Sequence, residues 1–302
     1  MNVLVTGAGG YLGRATVAAL RAAGHTPVAL LHSQAAELED TATYVGDLTE
    51  PATLAEPLRG IDVVCHLAGL TRARESWEQL ERYFQVNVCG TLNLLAAMLR
   101  ADVRRIVFAS TGAIYGSPPE QPMHEDLPDD IPHPYAASKR AAELAIESHA
   151  DAGKIGAAII RLFNVAGGHD PDETRMVPRA LAAAAGQAPR FPVNGDGSAV
   201  RDLLHVDDAA AAFAAACAHT PPPGTWRRFN VGSGRGSSVL DLVAAAERVT
   251  GRHIEVEHRP AAAEPPALIA DPSRAIAELG WKPTRSLLEQ IVADAWSALE
   301  RA

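Results

Sequence analysis

The chain has 302 residues, 47% of them hydrophobic and 21% charged, with a formal net charge of −9. That length suffices for one large α/β unit or two modest ones with a sizeable core, and an acidic balance without any basic run argues against a nucleic-acid footprint. Cys65, Cys89 and Cys217 show no Cys-x-x-Cys spacing, which excludes a cysteine-based zinc site, argues against a disulfide framework and makes a reducing compartment the default.

The chain opens on a strand-like run, Asn2–Thr6, and no signal peptide is expected ahead of it. Thr6-Gly7-Ala8-Gly9-Gly10-Tyr11-Leu12-Gly13 follows, between that strand and a helical pattern over Tyr11–Ala23. In this setting Gly7 serves a tight turn, Gly10 lets the backbone approach a pyrophosphate, and Gly13 lets the helix pack closely. The helix N-terminus adds free N–H groups and partial positive charge, so the loop reads as a dinucleotide site. Further short apolar runs at Thr26–Leu31, Asp62–Leu67, Arg105–Ala109 and Ala157–Phe163 read as strands buried on both faces. Helical patterns at Trp77–Leu99 and Pro134–Asp151 lie between them. This alternation predicts an α/β fold, a Rossmann-type doubly wound parallel sheet with right-handed crossovers.

Where the second strand ends, Leu30-Leu31-His32-Ser33-Gln34 offers neither a carboxylate for a ribose diol nor an arginine for a 2′-phosphate. NAD and NADP therefore both stay open. Asp47, in Val45-Gly46-Asp47-Leu48, either accepts a hydrogen bond from an adenine amino group or serves as a turn residue. His66 ends an apolar strand and reads as a hydrogen-bonded core residue.

Tyr135 and Lys139 stand four residues apart behind Pro134, a proline suited to the first turn of a helix, so both side chains leave one face. An ammonium about 6 Å from a phenol, at an effective dielectric near 20, favours the phenolate by roughly 2.8 kcal/mol, or about two pKa units. A tyrosine so shifted approaches the range of a general base.

After Asn164 the rhythm breaks. Proline and glycine crowd Gly167–Pro178 and Gln187–Gly197, and helical patterns return at Asp207–His219, Val239–Thr250, Pro272–Leu279 and Leu287–Leu299. Residues 1–164 are expected to form mainly the dinucleotide-binding domain. Residues 165–302 are expected to form mainly a smaller mixed α/β substrate lobe, with elements returning to the sheet. His169-Asp170-Pro171-Asp172-Glu173 reads as a mobile loop rather than a metal cluster. His205-Val206-Asp207-Asp208 reads as a strand running into an acid-capped helix rather than a ligand set. No metal is expected. The longest apolar stretch, Ala209–Ala218, is too short to span a bilayer, so the expected location is cytoplasmic, away from membranes.

Taken together, these motifs resemble the extended short-chain dehydrogenase/reductase family, of the NAD-dependent epimerase/dehydratase type, and most of all its UDP-glucose 4-epimerase branch. The resemblance runs nearly end to end. It is carried by TGAGGYLG, GDL at Asp47, HLAGLTRARES at His66–Ser76, NVCGTLNLL at Asn87–Leu95, FASTGAIYG at Phe108–Gly116 and YAASK at Tyr135–Lys139. RLFNVAG, GDGSAVRDLLHVDDAA, NVGSG and ADPSRAIAELGWKP continue it downstream.

The resemblance implies that Tyr135 is the catalytic base and that Lys139 binds the nicotinamide ribose and lowers the tyrosine pKa. Thr111 would hydrogen-bond the reacting hydroxyl. Gly7, Gly10, Tyr11, Leu12, His32, Asp47, Leu48, Leu67, Ala68 and Ser110 would contact the cofactor, with Asn87 supporting it and the local backbone. Asn164 and Arg201 would meet the diphosphate and nucleotide of a sugar-nucleotide substrate. Three departures stand out. The acidic ribose residue is missing, Thr71 replaces a lysine common in the epimerases, and the family's Arg-Arg-x-Gly-Asp segment reads Arg259-Pro260-Ala261-Ala262-Ala263-Glu264, leaving only Arg259 to substitute. Thr111 is followed by Gly112-Ala113, where sugar-nucleotide 4,6-dehydratases of this family carry Asp-Glu, so dehydration is disfavoured.

The function implied is C4 epimerisation of a UDP- or dTDP-linked sugar by transient hydride transfer to a retained NAD. The alternative is an NADPH-dependent reductase of a keto sugar or other ketone. A homodimer is also implied, formed through the Trp77–Leu99 helix and the helix bearing Tyr135.

Overall fold

A computed structural model describes residues 1–33, 38–262 and 264–301. Its first half comprises β1 (Asn2–Thr6), α1 (Tyr11–Ala22), β2 (Thr26–Leu31), β3 (Ala42–Val45), β4 (Val63–His66), α2 (Leu80–Phe84), α3 (Gly90–Arg100), β5 (Arg105–Thr111), α4 (Pro134–Asp151) and β6 (Gly156–Leu162). Then come β7 (Asn164–Ala166), α5 (Met176–Ala184), β8 (Phe191–Asn194), β9 (Val200–His205), α6 (Val206–Ala218), β10 (Trp226–Val231), β11 (Gly236–Ser238), α7 (Val239–Thr250), β12 (Val256–Arg259), β13 (Ala267–Leu268), α8 (Ser273–Leu279) and α9 (Leu288–Glu300). Among the described residues no helix is long and apolar enough to cross a membrane.

Seven strands form one sheet in the order β10-β6-β5-β4-β1-β2-β3, and every pairing in it is parallel. Alternate strand residues serve opposite layers, as the period of two requires. Val3 and Val5 join α1, α6 and α8 in one buried cluster, while Leu4 faces Leu94, Met98 and Ile146 of α3 and α4 in another. The chain moves outward from β1 through β2 to β3, then crosses to β4 on the other side of β1. That reversal opens the crevice at the carboxyl ends of the strands, where doubly wound sheets bind ligands.

β10, from the second half of the chain, pairs with β6 at one edge of this sheet. The remaining late strands form a separate mixed group. There β9 pairs with β7 and β13 in parallel and with β11 antiparallel, and β8 pairs with β12. The apolar faces of α5, α7 and α9 close over them around Phe191, Val193, Leu242 and Ile291.

The single helix expected over Trp77–Leu99 is instead composite. A 3₁₀ turn at Glu75–Trp77 precedes α2, and a π-helical segment at Gln85–Cys89 joins α2 to α3. The segment contains buried Asn87, whose amide Nδ2 donates to Leu70 O at 3.0 Å and Ser138 Oγ at 2.9 Å while Oδ1 accepts from Leu70 N at 2.8 Å. A polar side chain that deep must be satisfied, and the local widening accommodates it; such π insertions cluster at functional sites.

Candidate active site

The crevice deepens into one cavity of about 1430 Å³ that extends from the Gly7–Gly10 loop to Phe191 and Leu268 of the second lobe. A cleft for one small ligand occupies roughly 300–1,000 Å³, so this one has room for a dinucleotide and a second ligand together. At the first end the loop leaves no room for side chains. Gly7 has φ +70°, and a Cβ there would stand 2.9 Å from Ala68 N; a Cβ on Gly13 would stand 2.1 Å from Gly7 O. Among the described residues α1 has no side-chain cap on its N-terminal N–H groups, which leaves them for an anion. Gly10, Tyr11, Leu12, Leu67 and Ala68 line the same wall.

His32 and Leu48 also line it, with Asp47 between β3 and the next turn. One Asp47 oxygen accepts from Thr49 N and Oγ1, both at 2.8 Å, and the other lies 3.5 Å from His32 Nε2. The Thr49 backbone bond holds the Asp47 carboxyl below the usual range. Asp47 thus places a carboxylate on the cavity wall beside His32, at the mouth of β2 and β3. Gln34, at the end of that sequence stretch, lies outside the described residues.

Tyr135 enters the cavity from the first turn of α4. His133 caps that helix by accepting from Ala136 N through Nδ1 at 3.1 Å, Pro134 occupies the first turn, and Tyr135 N donates to Ser76 Oγ at 3.1 Å. The Tyr135 ring stacks on His133, centroids 5.8 Å apart, and meets the Tyr83 ring edge-on at 6.4 Å. Lys139, one turn on, is buried; its Nζ donates to Ala109 O at 2.8 Å and stands 4.7 Å from the Phe108 ring centroid.

Charge does not divide between the two groups as their spacing alone predicts. Burial pushes Tyr135 up to about 12, opposed by a hydrogen bond with Thr111 and by the charge of Arg175. The Lys139 ammonium donates to Ala109 O and is itself lowered to about 8 by burial. The phenol of the ligand-free site is therefore protonated at neutral pH. Here desolvation outweighs the neighbouring charges.

Thr111 ends β5 on the cavity wall, its hydroxyl also accepting from Ala113 N at 3.1 Å. The next position is closed to side chains, since a Cβ on Gly112 would meet the Phe163 ring at 2.8 Å; an acid there would displace the ring. Ser110 donates to Glu143, which is buried with Arg161. Thr71 and Asn164 line the cavity, and Asn164 Nδ2 donates to Asp202 O at 3.2 Å.

Asn87, Arg201 and Arg259 do not reach the wall. Asn87 is the strut that ties the Leu70 loop to α4. Arg201 donates to Val200 O and Pro265 O, both at 2.8 Å, and to Glu264 Oε2 at 2.6 Å, so it is Glu264 that faces the cavity. Arg259 donates to Glu257 at 2.8 and 3.0 Å on the exposed side of β12. Ala263, within the departing segment, lies outside the described residues.

The structure adds residues that the sequence did not single out. Arg175 and Arg179, four apart at the start of α5, line the cavity; their helical spacing just after the Gly- and Pro-rich stretch was the available signal. The His169–Glu173 segment carries several ion pairs beside the cavity. Asp170 and Asp172 hold Arg175 at 3.4 and 3.7 Å, Asp172 also pairs with Arg72 at 3.5 Å, and Tyr11 donates to Gly167 O. His66 is a buried core residue between Thr6 Oγ1 at 2.8 Å and Thr91 Oγ1 at 3.0 Å, lowered to about 3 by burial. His205 Nδ1 accepts from Asp207 N at 3.1 Å to cap α6, and Asp208 accepts from Thr284 N, Arg285 N and Ser286 Oγ.

The chain as a whole is similar to known proteins. The UDP-glucose 4-epimerase of Halalkalibacterium halodurans is 36% identical, the match covering 98% of this chain and 95% of that one. A crystal structure of UDP-glucose-4-epimerase from Stenotrophomonas maltophila, with bound NAD and formylated UDP-arabinopyranose, superposes with a TM-score of 0.93 at 30% identity over 100% of this chain and 98% of that one. The Bifidobacterium longum UDP-glucose 4-epimerase, in complex with NAD+ and UDP, superposes at 0.91 with 28% identity over the same shares. The family model matches residues 3–232, which hold the Gly loop, the Tyr135 helix and the first strands of the second lobe, and the chain belongs to the NAD dependent epimerase/dehydratase family.

Proposed function

We propose that the protein is an NAD-retaining epimerase that inverts C4 of a UDP-linked sugar. The observation that carries this reading is the shared cavity: Tyr135 and Thr111 stand on its wall between the pyrophosphate loop and the second lobe. Relatives whose structures hold NAD with UDP or a UDP-sugar cover the chain end to end. The Asp47 carboxylate beside His32 favours a ribose hydroxyl over a 2′-phosphate, which argues for NAD and against the NADPH-dependent reductase.

Bound NAD supplies the hydride acceptor, the hydride that is later returned, and the positive charge of its oxidised ring. Tyr135 takes the proton from the sugar hydroxyl, and the same phenol returns it after the keto sugar has presented its other face. Because burial holds Tyr135 near 12, it needs added positive charge in the cavity to reach the range of a working base. Thr111 orients the hydroxyl and shares its hydrogen bond with the phenol. Lys139, fixed on Ala109 O, holds the cofactor's ribose end. Asn87 keeps the Leu70 loop in register with α4, so that Thr71 faces the substrate. Residues 1–164 serve mainly the cofactor and 165–302 mainly the substrate, with β10 completing the sheet. Leu92 on α3 and Leu144 on α4, both exposed, lie on the outer helices through which the homodimer forms; sedimentation of the purified protein tests this.

Tyr135→Phe removes the base and leaves the ring packing. Turnover of UDP-glucose and UDP-galactose should fall by at least about 10²-fold while the co-purifying NAD content, read by mass spectrometry, stays unchanged. Turnover near that of the unmodified enzyme would overturn the mechanism.

A further inference from the structure

The second end of the cavity poses a problem of charge. Arg201 is engaged by Glu264 and two carbonyls, and Arg259 by Glu257 away from the wall. Neither presents a free guanidinium to a ligand. On the wall itself, Arg72 and Arg175 are paired with Asp172 and Asp170, and Arg82 donates to Gln79 at 2.7 Å. Arg179 and Arg74 are different. Both line the cavity, and among the described residues neither side chain has a hydrogen bond or an ion pair. Arg179 is half-buried, its guanidinium 5.9 Å from the Phe191 ring centroid.

Resting on the reading above, we infer that Arg179, with Arg74 from the opposite lobe, is the anchor for the substrate diphosphate in this chain. A half-buried guanidinium without a carboxylate is costly to maintain unless an anion arrives. Its surroundings make the cost larger: burial, together with the charges of Arg259 and Arg74, lowers the proton affinity of Arg179. Like charges gathered at a cavity wall await an opposite one, and a guanidinium fork matches phosphate oxygens in pairs. Arg179 comes from α5 and Arg74 from the loop before α2, so an anion between them also draws the two lobes together. The departure at Pro260-Ala261, where the family pattern carries arginine when its acid is set on Glu264, is thereby offset from a different element.

The test is titration of UDP, UMP and uridine into NAD-loaded protein, for the unmodified chain, Arg179→Met and Arg74→Met. Methionine keeps an apolar stem on Phe191 and removes the charge and the N–H donors of the guanidinium. The unmodified protein should prefer UDP to uridine strongly, and Arg179→Met should lose about ten- to a hundredfold in UDP affinity, the weight of a charge-assisted hydrogen bond, while uridine binding is unchanged. Arg74→Met should lose less, because that residue is exposed. UDP affinity in Arg179→Met within about twofold of the unmodified value overturns the inference, as does equal affinity of the unmodified protein for UDP and uridine. Turnover of UDP-sugars is read separately. Turnover with no effect of Arg179→Met sinks the anchor alone. UDP discrimination that depends on Arg179, without turnover of any sugar, sinks the epimerase reading and leaves the anchor standing.

Discussion

Replacing Glu143 with glutamine should destabilise the fold from directly beneath the active site. Glu143 and Arg161 side chains are both 0% exposed, with Oε2 2.8 Å from Arg161 Nη2. Oε1 accepts from Arg161 Nε at 3.1 Å and from Ser110 Oγ, and Arg140 Nη1 lies 3.4 Å from Oε2. Around this pair Arg140, Arg161 and Arg228 interlock with Asp129, Glu143 and Glu147, so the charges balance. The amide is nearly isosteric yet leaves three guanidiniums facing two carboxylates. Breaking one side of a buried pair costs about 3–5 kcal/mol. Arg161 keeps Asp129 at 2.8 Å, which places the loss near the lower end, about 3 kcal/mol. Urea unfolding followed by tryptophan fluorescence measures it. Glu257→Gln, which removes an exposed partner of Arg259, should cost less than about 1 kcal/mol and serves as the comparison. If Glu143→Gln also costs less than about 1 kcal/mol, the buried cluster does not stabilise the sheet in the manner argued.

Two further outcomes follow from the geometry. Burial brings Lys139 to about 8 while the charge of Glu143 opposes the shift, so NAD affinity should be flat below about 8 and fall as pH rises through that value. The unfolded chain keeps the ordinary lysine value near 10.5 and binds the extra proton between about 8 and 10.5, so the lysine's contribution to conformational stability rises with pH across the same window; in Glu143→Gln the midpoint for NAD binding, read by fluorescence titration, should move below 8. Gly13→Ala forces a Cβ to within 2.1 Å of Gly7 O, and the purified variant should carry far less NAD than the parent, with retention of the full complement refuting the close-approach argument.

Much of the fold is legible because its signals are local. Asn2–Thr6, Thr26–Leu31, Pro134–Asp151 and Val239–Thr250 have the bounds that periodicity assigns them, since each is a buried run or an amphipathic stripe ended by glycine, proline or a cap. The chemistry at Tyr135 is partly legible for the same reason: Pro134 starts the helix and the four-residue spacing sets one face. Its proton affinity is not. Desolvation depends on His133, Tyr83 and the enclosing lobe, and Tyr83 lies 52 positions upstream. The composite helix around Asn87 is equally hidden, because apolar spacing continues unbroken through a π turn whose cause is a partner, Leu70, in another loop.

The alternating α/β layers, the Gly-rich loop and the Tyr135/Lys139 spacing can be read along the chain because they rest on short-range geometry and steric need, whereas Thr111 is marked only by resemblance to the family. Which charges are paired at the cavity is set by tertiary packing. Arg201 and Arg259, expected to meet the substrate, are taken by Glu264 and Glu257, whereas among the described residues Arg179 and Arg74 line the cavity with no hydrogen bond or ion pair on their side chains. Ion pairing is settled by distance across lobes, and no spacing along the chain encodes it.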